Sequence, residues 1–128
     1  MYSADSGKTW TYLGTNVFTD IAVSPQMPAM ALAVKNSQLL LTKDAFKTTT
    51  KIKTSLKITQ IEWRKSGLYA LSGSSLYKST NIGRTWTELR AFNGSPGILS
   101  ASDQLMLVTV GSDIYTSKNN GKKFQLDF

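Results

Sequence analysis

The residues of this chain most suited to chemistry are Glu62 and Arg64, which flank Trp63 on a predicted strand. A carboxylate beside a guanidinium suggests acid–base chemistry, but glycosidases need two carboxylates about 5–10 Å apart across a sugar. The one other glutamate is Glu88, and the sequence shows no such pair. A salt-bridged strand surface is therefore the favoured interpretation, and we predict no catalytic residue and no enzymatic activity.

A second candidate is the segment Ser6-Gly7-Lys8-Thr9, which contains the last part of a phosphate-binding loop. That signature requires a glycine at position 2, where the chain has Tyr2, and it requires a following helix. A turn explains the segment better than nucleotide binding does.

Composition narrows the choice of function further. The chain has 128 residues, of which 41% are hydrophobic and 18% charged, and this suits one compact domain. Cysteine and histidine are both absent, which excludes thiol nucleophiles, disulfides, histidine bases and thiolate or imidazole metal sites. We therefore expect no metal and no cofactor. The net charge of +7 favours anionic partners or surroundings.

An octapeptide recurs along the chain with the pattern Ser-x-Asp/Asn-x-Gly-x-Thr-Trp. Two copies follow it closely, a third ends in Phe, and a fourth is degenerate; successive starts are 39, 37 and 38 residues apart. The residues that define the four copies are Ser3, Asp5, Gly7, Thr9 and Trp10; Thr42 and Asp44; Ser79, Asn81, Gly83, Thr85 and Trp86; and Ser117, Asn119, Gly121 and Phe124.

The octapeptide is interpreted as a turn between two strands. Its Asp or Asn is expected to accept hydrogen bonds from amides about two residues on, and its Gly supplies a positive φ. The final aromatic ring is expected to pack against a neighbouring unit. In the degenerate copy Phe46 replaces the glycine and Thr49 replaces the aromatic. We therefore expect a different turn there and the least firmly packed unit.

Short apolar segments surround each octapeptide, and Gly-containing turn pairs separate them, which predicts an all-β fold with four strands per unit. No segment has a helical period. The N-terminal 19 residues supply only a last hairpin, so the chain is expected to contain about fourteen strands in all.

The octapeptides resemble the Asp-box, or bacterial neuraminidase repeat, of sialidases, sortilin-type receptor domains and photosystem II assembly factors. The resemblance covers essentially the whole chain and implies a β-propeller of four-stranded antiparallel blades, with the boxes as scaffold residues on the periphery. The predicted organisation is a single propeller segment over 1–128, divided into a half-blade hairpin at 1–19 and blades at 20–57, 58–95 and 96–128.

Three and a half blades do not close a ring, since propellers have four to eight. The end blades would expose apolar faces, so we expect a protein partner or self-association, or further blades in a longer propeller. The resemblance to sialidases also implies an arginine triad and a Tyr/Glu nucleophile pair. The chain has only three arginines, and Arg84 lies in a box turn.

Lysines form the densest positive stretch between positions 43 and 57. We take four of them as candidate partner-binding residues: Lys47, Lys51, Lys53 and Lys57. The stretch lacks the interleaved aromatic residues of a nucleic-acid stacking surface, so we do not expect nucleic acid, whereas an anionic glycan or an acidic protein stays open. A solvated, solubilising face or a guard on an edge strand is the favoured interpretation of this stretch. Trp63, Arg64 and Phe92 are the remaining candidate binding residues, because the two aromatics have no counterpart in the other units.

The N-terminus shows no signal peptide, and no apolar segment is long enough to span a membrane. We predict a non-catalytic structural or binding module within a larger assembly, with an extracellular or virion-associated setting favoured. The alternatives are a carbohydrate-binding, lectin-like propeller and, third, a fragment of a sialidase-like hydrolase.

Overall fold

The computed structural model describes residues 7–8, 18–102 and 104–126. Twelve strands and no helix lie within these ranges. The strands are β1 (Asp20–Val23), β2 (Ala31–Lys35), β3 (Gln38–Thr42), β4 (Thr50–Ile52), β5 (Ile58–Arg64), β6 (Gly67–Ser72), β7 (Ser75–Ser79), β8 (Thr87–Ala91), β9 (Pro96–Ala101), β10 (Met106–Val110), β11 (Asp113–Ser117) and β12 (Gln125–Leu126). With no helix among the described residues, none of them forms a helical membrane span.

The strands form three sheets, each of four consecutive antiparallel strands paired in chain order. We call them blade 1 (β1–β4), blade 2 (β5–β8) and blade 3 (β9–β12). The predicted all-β fold of four-stranded antiparallel sheets is confirmed. The predicted hairpin at 1–19, with Ser3, Asp5, Thr9 and Trp10 of the first octapeptide, falls almost wholly outside the described residues.

Two apolar clusters join the blades, one at each junction. Strand β6 contributes to both, because successive side chains of a strand point to opposite faces. Leu68 and Ala70 pack towards blade 1, with Leu39 and Leu41, whereas Tyr69 packs towards blade 3. All residues of β6 between Leu68 and Leu71 are at most 1% exposed. We call the face of a blade towards the blade before it the leading face, and the opposite face the trailing face.

The octapeptides form turns between the third and fourth strands of each blade, as predicted. In blade 2 the Ser79 hydroxyl accepts the Gly83 amide at 2.9 Å, and Asn81 Oδ1 accepts the Thr85 amide at 2.9 Å. Ser117 and Asn119 bond the amides of Gly121 and Lys123 at the same distances in blade 3. The Asn side chain therefore reaches four residues ahead rather than the expected two.

The degenerate copy in blade 1 forms the same turn, so the expectation of a different one is wrong. The Thr42 hydroxyl accepts the Phe46 amide at 2.8 Å, and Asp44 Oδ1 accepts the Thr48 amide at 2.9 Å. Phe46 adopts a φ of +67°, and Phe18 packs against its ring at a centroid distance of 5.8 Å. The side-chain hydrogen bonds from Thr42 and Asp44 and this ring contact stabilise a conformation that a non-glycine residue otherwise avoids.

The octapeptide turns of blades 2 and 3, which we also call boxes, pack against the preceding blade. Trp86 packs on the cluster that contains Leu39 and Ile52 of blade 1, and Phe124 is buried in the cluster at the junction of blades 2 and 3. The predicted packing of these two rings against a neighbouring unit is confirmed.

Candidate functional site

Carboxylates on the inner strands link one blade to the next. Asp20 Oδ2, on β1, accepts the amide of Ile61 on β5 at 2.8 Å. Glu62 on β5 also faces the next blade, because the backbone of Ala101 on β9 is among the groups that favour its charged form and oppose the rise of its pKa. Both acidic groups thus lie where one blade meets the next.

Glu62 also pairs with Arg64, whose Nη2 lies 3.5 Å from Glu62 Oε2. Burial raises the pKa of the Glu62 carboxyl, and Arg64 partly opposes this effect. The predicted salt-bridged strand surface is present at this pair. Arg64 Nε is buried and has no hydrogen-bond partner among the described residues. Those residues include no cluster of three acidic, His or Cys side chains that could hold a metal ion.

Trp63 lies on the other face of β5 and packs against the cluster between blades 1 and 2. With Arg64, Met27 and Met30 it lines a cavity of about 350 Å³ between the β1–β2 and β5–β6 turns. The structure therefore brings together two of the candidate binding residues, Trp63 and Arg64.

Phe92 does not belong to an accessible site, and its assignment as a candidate binding residue is corrected here. It is 6% exposed, and its ring lies 5.2 Å from that of Tyr115 and 5.5 Å from that of Phe124. The guanidinium of Arg90 stacks over Phe92 at 5.5 Å. Phe92 lacks counterparts in other units because it fills a gap between blades 2 and 3.

Three of the four candidate lysines lie close together. Lys51 is on β4, and Lys53 and Lys57 lie on the connection from β4 to β5, all with exposed side chains. Together they line a cleft of about 560 Å³ against the β2–β3 turn. Lys47 is separate from this group, since it belongs to the box turn of blade 1 and lines no cleft with the other three.

A second cleft, of about 590 Å³, lies on the other side of the same connection, between blades 1 and 2. We call it the junction cleft. Its lining includes Lys53, Ser55, Leu56, Tyr77, Arg84 and Trp86, and among the residues that the structure describes no acidic side chain lines either cleft. Both volumes fall within the roughly 300–1,000 Å³ of ligand pockets.

Trp86 has a polar atom that the described residues leave unsatisfied. Its Nε1 is buried and has no hydrogen-bond partner among them. A buried donor without an acceptor costs about 1–3 kcal/mol. The cleft is lined by other atoms of the Trp86 indole, because Nε1 has no exposed surface. The sequence analysis treated Trp86 and Arg84 as octapeptide residues alone. It missed that the connection after blade 1 contributes Leu56 to its junction, whereas the connection after blade 2 contributes the larger Phe92.

The sequence matches no protein-family model and no curated protein. Solved structures do match. YCF48 from Cyanidioschyzon merolae aligns over 86% of this chain and 36% of its own, with a TM-score of 0.72 and 19% identity. A YCF48 bound to D1 peptide aligns over 95% and 46%, with a TM-score of 0.68 and 16% identity. The GH74 enzyme of Niastella koreensis aligns over 88% and 18%, with a TM-score of 0.63 and 16% identity.

These three structures are β-propellers. Because their sequence identity to this chain is below 20%, the similarity supports the fold alone. The fold is a partial β-propeller. The chain spans less than half the length of each of these three structures.

Proposed function

We propose that the chain is a non-catalytic protein-binding module of Asp-box propeller blades that acts within a larger assembly. The supporting observation is a difference in burial between equivalent positions. Ile21, Ile61 and Leu99 occupy the same place in β1, β5 and β9, each opposite the same position of the following strand. Ile61 and Leu99 are 2% and 3% exposed, because the preceding blade covers them, whereas Ile21 is 49% exposed.

The surface that covers Ile61 and Leu99 indicates what would cover Ile21. In each case it is the trailing face of another blade. Blade 3 has such a face available: Leu107 and Ile114 correspond to Leu32 and Leu39, which are fully buried in blade 1, but both are only half-buried. Ile98 beside them is 58% exposed.

The partner that fits both surfaces is a second copy of this chain. The leading face of blade 1 in one copy would pack on the trailing face of blade 3 in the other. The three blades that the structure describes would give six in two copies, and the predicted half-blade at 1–19 would raise this number to seven; both numbers fall within the four to eight blades of known propellers. The solved structure of a YCF48 bound to D1 peptide supports protein binding as a use of this fold. An extracellular or virion-associated setting stays a prediction.

Light scattering on the purified chain tests the proposal. The expected result is a molar mass that rises to that of a dimer with concentration, and an Ile21→Ser/Val23→Ser double variant that stays monomeric. Leu105→Ser, which removes an exposed apolar side chain of a turn, is the matched control and should dimerise normally. A wild-type chain that is monomeric at every concentration, with a folded circular dichroism spectrum, contradicts the proposal.

The second candidate is carbohydrate binding, favoured by the cavity that Trp63 lines with Arg64. Binding on a glycan array that is lost in Trp63→Ala would support it. Turnover of a fluorogenic sialoside would instead favour the hydrolase alternative, with Glu62 and Arg64 as the first residues to substitute.

A further inference from the structure

The two blade junctions differ in how the space between them is filled. At the junction of blades 2 and 3, Phe92 lies between Tyr115 and Phe124 and contacts both rings. At the junction of blades 1 and 2, Tyr77 and Trp86 correspond to Tyr115 and Phe124. The strand register makes Thr54 the counterpart of Phe92, and the apolar side chain of the connection that packs at this junction is the smaller Leu56. The junction cleft therefore lies between blades 1 and 2, whereas packed aromatic side chains fill the junction of blades 2 and 3.

The lysines around the junction cleft are also specific to this junction. Lys53 and Arg84 line the cleft, Lys57 lies on the same connection as Lys53, and Lys51 lies on the adjoining strand β4. Arg84 has Lys122 as its counterpart in the octapeptide of blade 3, so the charges found only at this junction are those of the lysines. The connection between blades 2 and 3 carries Asn93, Gly94 and Ser95 and no cationic residue. The repeat therefore folds without these lysines, so the requirements of the fold do not account for them.

We propose that the junction cleft binds an acidic peptide segment. Lys53 and Arg84 would pair with its carboxylates, and the Trp86 ring, which lines the cleft, would pack against the aliphatic carbons of its side chains. A peptide is favoured over a glycan because the cleft adjoins β4, the outermost strand of blade 1 among the described residues. An extended segment can hydrogen-bond to the main chain of such an edge while its side chains reach the lysines. This inference rests on the proposed protein-binding function and names the chemistry of the bound partner.

Fluorescence anisotropy with a fluorescein-labelled octaglutamate peptide tests the inference, with octaglutamine as the neutral probe. The variant is Lys53→Ala/Arg84→Ala, in which both substituted side chains are exposed in the wild type. The matched control is Lys118→Ala/Lys122→Ala, which removes the same charge from exposed positions of the blade 3 box. We expect the first variant to weaken octaglutamate binding by about tenfold or more, and the control by about twofold or less.

A further variant separates shape from charge. Leu56→Phe should weaken binding by filling the cleft with no change of charge. Equal losses in the two alanine double variants would overturn the inference, because they would show unspecific charge attraction. Binding of a sulfated oligosaccharide without binding of octaglutamate would overturn it too. Dimerisation is measured separately, so a failure here does not affect the self-association test.

Discussion

Gly83 approaches Leu39 so closely that a Cβ atom built on the glycine would lie 2.6 Å from Leu39 Cδ2. Gly121 has the same relation to Leu89 one blade later, at 2.8 Å. The box glycine of blades 2 and 3 is therefore needed for contact with the preceding blade as well as for its positive φ. Phe46 occupies this position in blade 1 and packs against Phe18.

Gly83→Ala is expected to destabilise the chain more than Gly73→Ala. Both glycines have a positive φ, which costs an alanine about 1–2 kcal/mol. The Cβ at position 73 meets nothing within 4 Å, whereas at position 83 overpacking adds about 1–3 kcal/mol. Urea denaturation of the two variants measures the difference. Equal losses of unfolding free energy would mean that the box does not press on blade 1.

Ser79→Ala should destabilise the fold by removing the acceptor of a buried amide. The Ser79 hydroxyl, itself in a residue 2% exposed, accepts the Gly83 amide, and an unsatisfied buried donor costs about 1–3 kcal/mol. Ser112→Ala, in an exposed turn, is the control and should change the unfolding free energy by less than about 0.5 kcal/mol. Similar values for both variants would show that the turn does not depend on its hydroxyl.

Asp44 should make blade 1 acid-sensitive. The hydrogen bond from the Thr48 side chain is the main cause that lowers the pKa of Asp44 below its ordinary value of 3.8. Its stabilising contribution is then fully present above pH 3.8 and is lost as the pH falls through the lowered folded-state pKa. Asp44→Asn should remove this dependence of the unfolding free energy on pH. The variant would carry the amide that blades 2 and 3 have at the same position, as Asn81 and Asn119. Denaturation between about pH 2 and 5 checks it, and an unchanged acid slope in the variant would contradict it.

Glu62 should make the stability of the fold depend on pH in the opposite direction. Its folded-state pKa lies above the ordinary value of 4.5, because burial disfavours the charged form. Its contribution to stability is therefore most favourable below pH 4.5 and decreases as the pH rises through the raised pKa. In Glu62→Gln this decrease should disappear, since the amide side chain does not titrate. A decrease that persists in the variant would assign it to another group.

The fold could be predicted from the sequence because the octapeptide is recognisable in each unit and shows where the turn between the third and fourth strands lies. A single turn type fixes where β3, β7 and β11 end, and alternating apolar residues then place the remaining strands. The turn of Phe46 was mispredicted because Thr42 and Asp44 accept hydrogen bonds from backbone amides of the turn, and these bonds offset the unfavourable φ of Phe46. The backbone preference of a single residue type does not include that compensation.

The junction cleft was beyond sequence reasoning for a different reason. It depends on the side chains that two connections contribute to their junctions, Leu56 in one and Phe92 in the other, and these lie at different places in connections of different length. Which side chain reaches the junction emerges only from the folded structure. For the same reason Phe92, which looks unusual along the chain, is a packing residue, while Arg84 lies at a cleft.

The contact between each box and the blade before it runs in one direction along the chain. In blades 2 and 3 the octapeptide turn packs on the preceding blade, and blades 1 and 2 supply the third and fourth strands that receive it. Tandem duplication of a whole unit therefore creates two matched contacts at once. An array of this kind can lengthen or shorten in evolution by single steps of 37–39 residues without any new interface having to arise.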